Sequence, residues 1–220
     1  EQQAQGMVFR TRDLFVRQRT QLINALRGHL AEYGVVVAQG MVQFRRMIAG
    51  FEGIAPDLPA PVQDLCQTYI DQIVQFDERI AVLDKEIKHR AKTDERTSRL
   101  MTIPGVGPMC ATTIQAFAPP MEEFSNGRDF AAWCGLVPRQ KSTGGRQILG
   151  RTSKMGQRDI RRLLVTGAMA VIRWAIRKGP PAGSWLAKML ARKPRMLVAM
   201  ALANKLARTV WALTTKKEEY

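Results

Sequence analysis

Apolar residues recur along this chain at helical spacing and not in alternation. Leu14, Leu22, Leu26 and Leu30 stand one or two turns apart among arginines and glutamines, which predicts a helix over 8–49 that Gly34 and Gly40 weaken and bend. Three prolines between Ile54 and Pro61 break the pattern. Val62, Leu65, Tyr69, Ile73, Phe76, Ile80, Leu83 and Ile87 then advance in steps of three and four, a heptad-like seam with Asp71, Asp77, Glu78, Lys85 and Lys88 on the other faces. Such a seam is either the buried face of a core helix or one side of an antiparallel coiled coil, closed within one chain or between two.

Past Arg99 the predicted helices shorten. Met101-Thr-Ile-Pro-Gly-Val-Gly-Pro-Met-Cys-Ala-Thr-Thr-Ile114 has the form of a helix-hairpin-helix: an apolar stretch, a glycine hairpin and an alanine-rich helix start. Pro119 and Pro120 interrupt, and Ser125 to Gly127 offers a helix cap. Ser153 restarts a helix that reaches Ile176, Lys178-Gly-Pro-Pro-Ala-Gly183 is a linker, and two helices over 184–192 and 195–214 close the chain. No strand alternation stands out. The expected fold is all-α, with long helices forming a coiled-coil-like arm over 1–98 and a compact helical domain over 99–220.

Charge divides the chain at the same place. Residues 1–100 hold 14 Lys and Arg against 13 Asp and Glu, whereas residues 101–220 hold 20 against 6. A polyanionic partner is therefore expected on the second half, with nucleic acid the foremost class. Between Pro138 and Arg162 lie Arg139, Lys141, Arg146, Arg151, Lys154, Arg158, Arg161 and Arg162 against a single acid, Asp159. Cations so concentrated around a Ser-Thr-Gly-Gly loop favour phosphate binding over a merely solvated surface. Gly105, Val106 and Gly107 offer backbone amides at a helix start, which contact phosphates without reading bases. Gly144, Gly145 and Ser153 complete the candidate DNA-binding set.

Other chemistries recede. Cys66, Cys110 and Cys134 form no Cys-x-x-Cys pair and read as reduced core thiols, and His29 and His89 lie far apart, so no metal ligand set is expected in this chain. Gly145-Arg-Gln-Ile-Leu-Gly-Arg-Thr152 imitates a P-loop with Arg151 in the lysine position, but polar and basic residues precede it where a buried strand is required. No signal peptide is expected from the N-terminal residues. Met196 to Leu213 is apolar yet carries Asn204, Lys205 and Arg208, so a buried helix and no membrane partner are expected, in keeping with a cytoplasmic, DNA-associated protein. The hydroxyls of Ser142 and Thr143 are candidate nucleophiles, although Ser and Thr beside glycine are also ordinary turn residues.

Five segments in order alter that balance: Ile103-Pro-Gly-Val-Gly-Pro108, Phe130-Ala-Ala-Trp-Cys-Gly-Leu-Val-Pro-Arg139, Ser142-Thr-Gly-Gly-Arg146, Gly150-Arg-Thr-Ser-Lys-Met-Gly156 and Arg158-Asp-Ile-Arg-Arg-Leu-Leu164. Together they resemble the C-terminal transposase domain of the IS110/IS116 insertion-sequence family, the RNA-guided bridge recombinases, and the helical region upstream matches that family's layout. The resemblance implies a transposase or recombinase in which a serine attacks DNA and becomes covalently joined to it, while a non-coding guide RNA pairs with target and donor. It also implies an N-terminal RuvC-like domain with an Asp-Glu-Asp-Asp site for a divalent metal (Mg), and oligomerisation through the helical arm. Residues 1–100 show no such acidic tetrad, so the chain by itself is expected to bind nucleic acid without completing recombination. Relatives carry the serine directly before glycine; here that position is Thr143 and Ser142 precedes it, so both stand as nucleophile, with the less hindered primary hydroxyl of Ser142 preferred. The alternative reading is a non-catalytic helix-hairpin-helix module that binds DNA.

Overall fold

The computed structural model describes residues 2–220, which form two compact units, Met7–Glu86 and residues 87–220 together with the first few residues of the chain. The first unit is built on α1 (Gln2–Glu32), α2 (Met41–Ala49), α3 (Phe51–Ile54) and α4 (Ala60–Thr93). The single helix expected over 8–49 is two helices. Gly34 and Gly40 take φ of 79° and 107°, so they release the chain from the helix where the sequence promised a bend. Arg27 pins the loop between them, its Nε and Nη2 donating to the Val37 carbonyl at 3.0 and 2.8 Å.

α1 and α4 run antiparallel. Arg12 Nε meets Asp84 Oδ1 at 2.5 Å, Arg19 pairs with Asp77, Phe15 lies 5.6 Å from Phe76 and His29 lies 5.9 Å from Tyr69, ring centre to ring centre. The α4 seam therefore packs within one chain. A strict four-three alternation runs Val62, Cys66, Tyr69, Ile73, Phe76, Ile80, Leu83, Ile87, and the structure follows it: Cys66 is 2% exposed and Leu65 is 62% exposed. The seam read from the sequence has Leu65 at this turn, and the structure seats Cys66 there instead. Leu26, Leu30, Phe44, Cys66, Ile70 and Ile73 are prominent in the core of this unit.

The second unit comprises α5 (Glu95–Leu100), α6 (Pro108–Phe117), α7 (Gly127–Trp133), β1 (Pro138–Gln140), β2 (Leu149–Thr152), α8 (Arg158–Lys178), α9 (Trp185–Arg192) and α10 (Arg195–Lys216). Asp94 caps α5 by accepting from the Thr97 amide, and Asn126 caps α7 inside the segment the sequence marked as a cap. α10 is long and apolar enough to cross a membrane by length and composition, but here it is the central helix, packed against α5, α7, α8 and α9. Val198, Ala199, Leu202, Ala203, Leu206 and Ala207 lie on its buried face, where the alanines let neighbouring helices approach. Trp211 Nε1 donates to the Met121 carbonyl at 3.1 Å, which satisfies the indole against the short turn before α7.

The all-α expectation holds for the molecule apart from one two-stranded antiparallel ribbon, β1 with β2. The helix expected from Ser153 begins only at Arg158, because Lys154 and Gly156 adopt φ of 54° and 92° and the chain is still turning there.

Candidate nucleic-acid interface

The ribbon is the arm that carries the candidate nucleophiles, and its root is tightly built. Gly135 and Gly156, both at positive φ, sit where the chain leaves α7 and where it returns to α8. A Cβ on Gly135 would collide with the Met155 carbonyl oxygen and one on Gly156 with that of Trp133, so the two backbones touch at a point only glycines permit. Main-chain hydrogen bonds tie the crossing: Ser153 to Val137 at 2.8 Å, Lys154 to Gly135 at 3.2 Å and Gln157 to Trp133 at 3.0 Å. Arg161 Nη1 adds a clamp from α8, donating to the Cys134 carbonyl at 2.9 Å, and Asn204 Nδ2 of α10 donates to the Leu136 carbonyl at 3.3 Å.

Beyond that root the arm buries no side chain: every residue from Pro138 to Leu149 is exposed. The Lys141 amide donates to Ile148 at 2.9 Å, and Thr143 and Arg146 exchange hydrogen bonds around Gly144 and Gly145. Those two glycines have φ of 55° and 76°, the pair of left-handed residues that a two-residue type I′ hairpin turn requires. The motif read from the sequence as a flexed loop is thus the tip of a β-hairpin.

Ser142 sits one residue before that tip. Its Oγ donates to Gln140 Oε1 at 3.2 Å and accepts from the Ile148 amide at 3.2 Å. A donor aimed at Oγ stabilises negative charge developing there. Thr143 makes main-chain hydrogen bonds only, among the described residues, with Arg146 across the turn.

Cations surround the arm: Arg139, Lys141, Arg146, Arg151, Lys154 and Arg158 are all exposed, and Arg139 Nη2 also donates to the Ser153 carbonyl at 3.3 Å. Gly150 lies against Arg139, where a Cβ would stand 3.2 Å from its carbonyl oxygen. Ser153 is half-buried and serves the root through its amide.

The other predicted element, Gly105 to Gly107, lies between α5 and α6 and is seated on α8. Gly105 has φ of 94°, and a Cβ there would fall 2.9 Å from Val171 Cγ2 and 3.0 Å from the Gly167 carbonyl oxygen. Gly167 is the reciprocal partner, a helical glycine lying directly beneath the Gly105 carbonyl. Val106 is a core residue, 3% exposed, and only its backbone is available to a ligand. Gly107 is exposed and is the residue before α6, with no side-chain cap. The sequence places Arg161 among the candidate phosphate-binding cations and not as a clamp, and it does not single out Gly167, for which a mid-helix glycine was the available signal.

Burial pushes the Cys110 thiol up to about 12, and the Cys134 thiol to about 12 with a smaller contribution from Cys110. Both stay protonated near neutrality and offer no nucleophile. Among the described residues no three of His, Cys, Asp and Glu converge on a metal-holding geometry.

Residues 97–180 match the family described as Transposase IS116/IS110/IS902. Over its whole length the chain is 40% identical to a probable family 20 transposase of Pseudomonas aeruginosa, spanning 66% of that protein. It is 34% identical to the transposase for insertion sequence element IS1111A of Coxiella burnetii, spanning 61% of it. A similar 34% identity relates it to the transposase for insertion sequence element IS1328 of Yersinia enterocolitica, of which it spans 64%. The chain therefore covers a little under two thirds of the length of these relatives.

Proposed function

We propose, on the match of residues 97–180 to the family described as Transposase IS116/IS110/IS902, that this chain supplies the hydroxyl nucleophile for DNA strand cleavage and exchange in transposition. The observation that carries the reading is a serine hydroxyl held by two hydrogen bonds at the end of an exposed, basic hairpin with a rigid root. Ser142 Oγ attacks a DNA phosphorus, a phosphoserine ester forms, and the displaced sugar oxygen leaves with a proton. Attack by a sugar hydroxyl of another strand reverses the bond and returns the serine. Arg139, Lys141 and Arg146 hold the phosphate backbone and stabilise the charge that grows on its oxygens.

Gln140, the side chain that accepts from Ser142, orients the hydroxyl and is too weak a base to take its proton. The acceptor comes from water or from outside this chain. The proposal extends to a structured RNA partner: backbone contacts carry no sequence, so target choice falls to base pairing.

The test joins the chain to the part of the Pseudomonas aeruginosa relative that it does not align with, and looks for a protein–DNA adduct that survives denaturation. Wild type and Thr143→Val are expected to form it and Ser142→Ala is not. An adduct lost only in the Thr143 variant would move the nucleophile by one residue. Stable, salt-sensitive DNA binding without an adduct in any variant, while the intact relative forms one, would reduce the chain to a binding module.

A further inference from the structure

The hairpin is not the whole of the basic surface. Between Asp159 and Glu218 the sequence contains no acid at all, and the stretch from Arg173 to Arg195 alone carries seven cations. On α8 the buried residues Ile160, Leu164, Ala168, Ile172 and Ala175 define one face. At 100° per residue, Thr166, Ala170, Arg173 and Arg177 fall opposite it, and all four are exposed. The row runs from Thr166 to Arg177 in the last turns of the helix, about 16 Å at 1.5 Å per residue.

At the far end stands Trp174, 60% exposed. The other exposed tryptophan, Trp185, lies under the ammonium of Lys205, 5.3 Å from its ring centre. Trp174 has no such cover: among the described residues its indole makes no ring or cation contact. It lies two turns beyond Gly167, on the side of α8 that seats the Gly105 hairpin. An open indole face flanked by Arg173 and Arg177, with small side chains leading back towards the hairpin, is the combination that binds unpaired strands: a π-face for a base and guanidinium groups for its phosphates.

We propose that this face of α8 is a track for an unpaired DNA strand, with Trp174 as its stacking platform and Arg173 and Arg177 on its phosphates. The choice of DNA rests on the strand-exchange reading above, in which cleavage and rejoining leave a strand temporarily without its partner. A duplex offers its phosphates to such a row but keeps its base faces stacked and closed to an indole. Trp174 therefore discriminates where arginine cannot.

The experiment uses the full chain and a fluorescent dT 20-mer, with a 20-base-pair duplex as comparison, and reads polarisation without any cleavage. Trp174→Ala is expected to weaken dT binding by about 10-fold or more and duplex binding by less than about 2-fold, whereas Trp174→Phe keeps most of the affinity because any aromatic face stacks. Arg173→Gln with Arg177→Gln should lower the slope of log affinity against log salt by about 1.4 for the single strand, two phosphate contacts at about 0.7 each. This assay reads binding without any covalent step, so a failure of the nucleophile reading is seen in the adduct assay and not here. Equal dT affinity in Trp174→Ala and wild type overturns the proposal. So does an equal loss on duplex, or a Trp174→Phe variant as weak as Trp174→Ala. A Trp174-dependent preference of 10-fold or more for an oligo-rU of the same length overturns the assignment to DNA.

Discussion

Replacing a glycine by alanine inside a helix ordinarily stabilises it, and Gly167 is expected to do the reverse. In an unconstrained helical position the exchange gains roughly 0.5–1 kcal/mol, because glycine loses more backbone freedom on folding. Gly28 in α1 is such a position, with nothing within 4 Å of an added Cβ. At Gly167 the added Cβ would stand 2.9 Å from the Gly105 carbonyl carbon and nearer still to its oxygen. Carbon pairs rest at about 3.5–4.0 Å, so α8 and the hairpin would have to part by the better part of an ångström, and both are backbone. Overpacking of that kind costs about 1–3 kcal/mol, against which the helical gain is the smaller term. Gly167→Ala should therefore lower stability by about 1–2 kcal/mol, which at this chain length is about 2–8 °C in Tm. Gly28→Ala should raise stability by about 0.5–1 kcal/mol. Urea denaturation of the two variants beside wild type reads both signs. A Gly167→Ala protein as stable as Gly28→Ala would refute the close-approach argument.

Three further outcomes follow from the same geometry. Gly144→Val with Gly145→Val puts β-branched residues at φ of 55° and 76°, which should abolish adduct formation while moving Tm by less than about 1 °C, since the tip packs against no core. Arg161→Ala removes the clamp on Cys134 and Met155 at a cost of about 1–2 kcal/mol, and hydrogen exchange should quicken at the Ser153 and Gln157 amides before it quickens in α10. The Cys110 and Cys134 thiols have an ordinary value of 9.0 and are pushed up to about 12 by burial, so thiolate absorbance at 240 nm should appear near pH 9 in urea and stay flat there in the folded protein. Folding then holds more protons than unfolding above pH 9, and these two groups remove stability as pH rises towards 12 while adding no slope below the unfolded value.

How much of this was legible in the chain depends on what each residue buries. The α4 seam could be read because every partner in it is apolar, and the one slip came at Leu65 and Cys66, where apolarity and register disagree and register decides. Helices α7, α9 and α10 announced themselves by caps and periodicity. Strands β1 and β2 did not, because a hairpin with two exposed faces has no buried side to impress alternation on its sequence. Its one signal was the paired glycine at 144 and 145, which fits a type I′ turn as well as a flexible loop. The seating of Gly105 on Gly167 was only half within reach, since a mid-helix glycine signals a close approach but the chain does not say which segment approaches. The candidate nucleophile was found from its neighbours in sequence, whereas the Ile148 amide that supports it became visible only with the ribbon.

A hairpin that no core residue depends on is free to diverge. Substitutions between Pro138 and Leu149 alter charge, reach and the candidate nucleophile without touching the packing that lets the domain fold. The crossing at Gly135 and Gly156 has no such latitude, as any side chain there forces two backbones apart. The domain thus joins a fixed socket to an interchangeable tip: side chains on the arm can be exchanged while the mount beneath it keeps its backbone contacts.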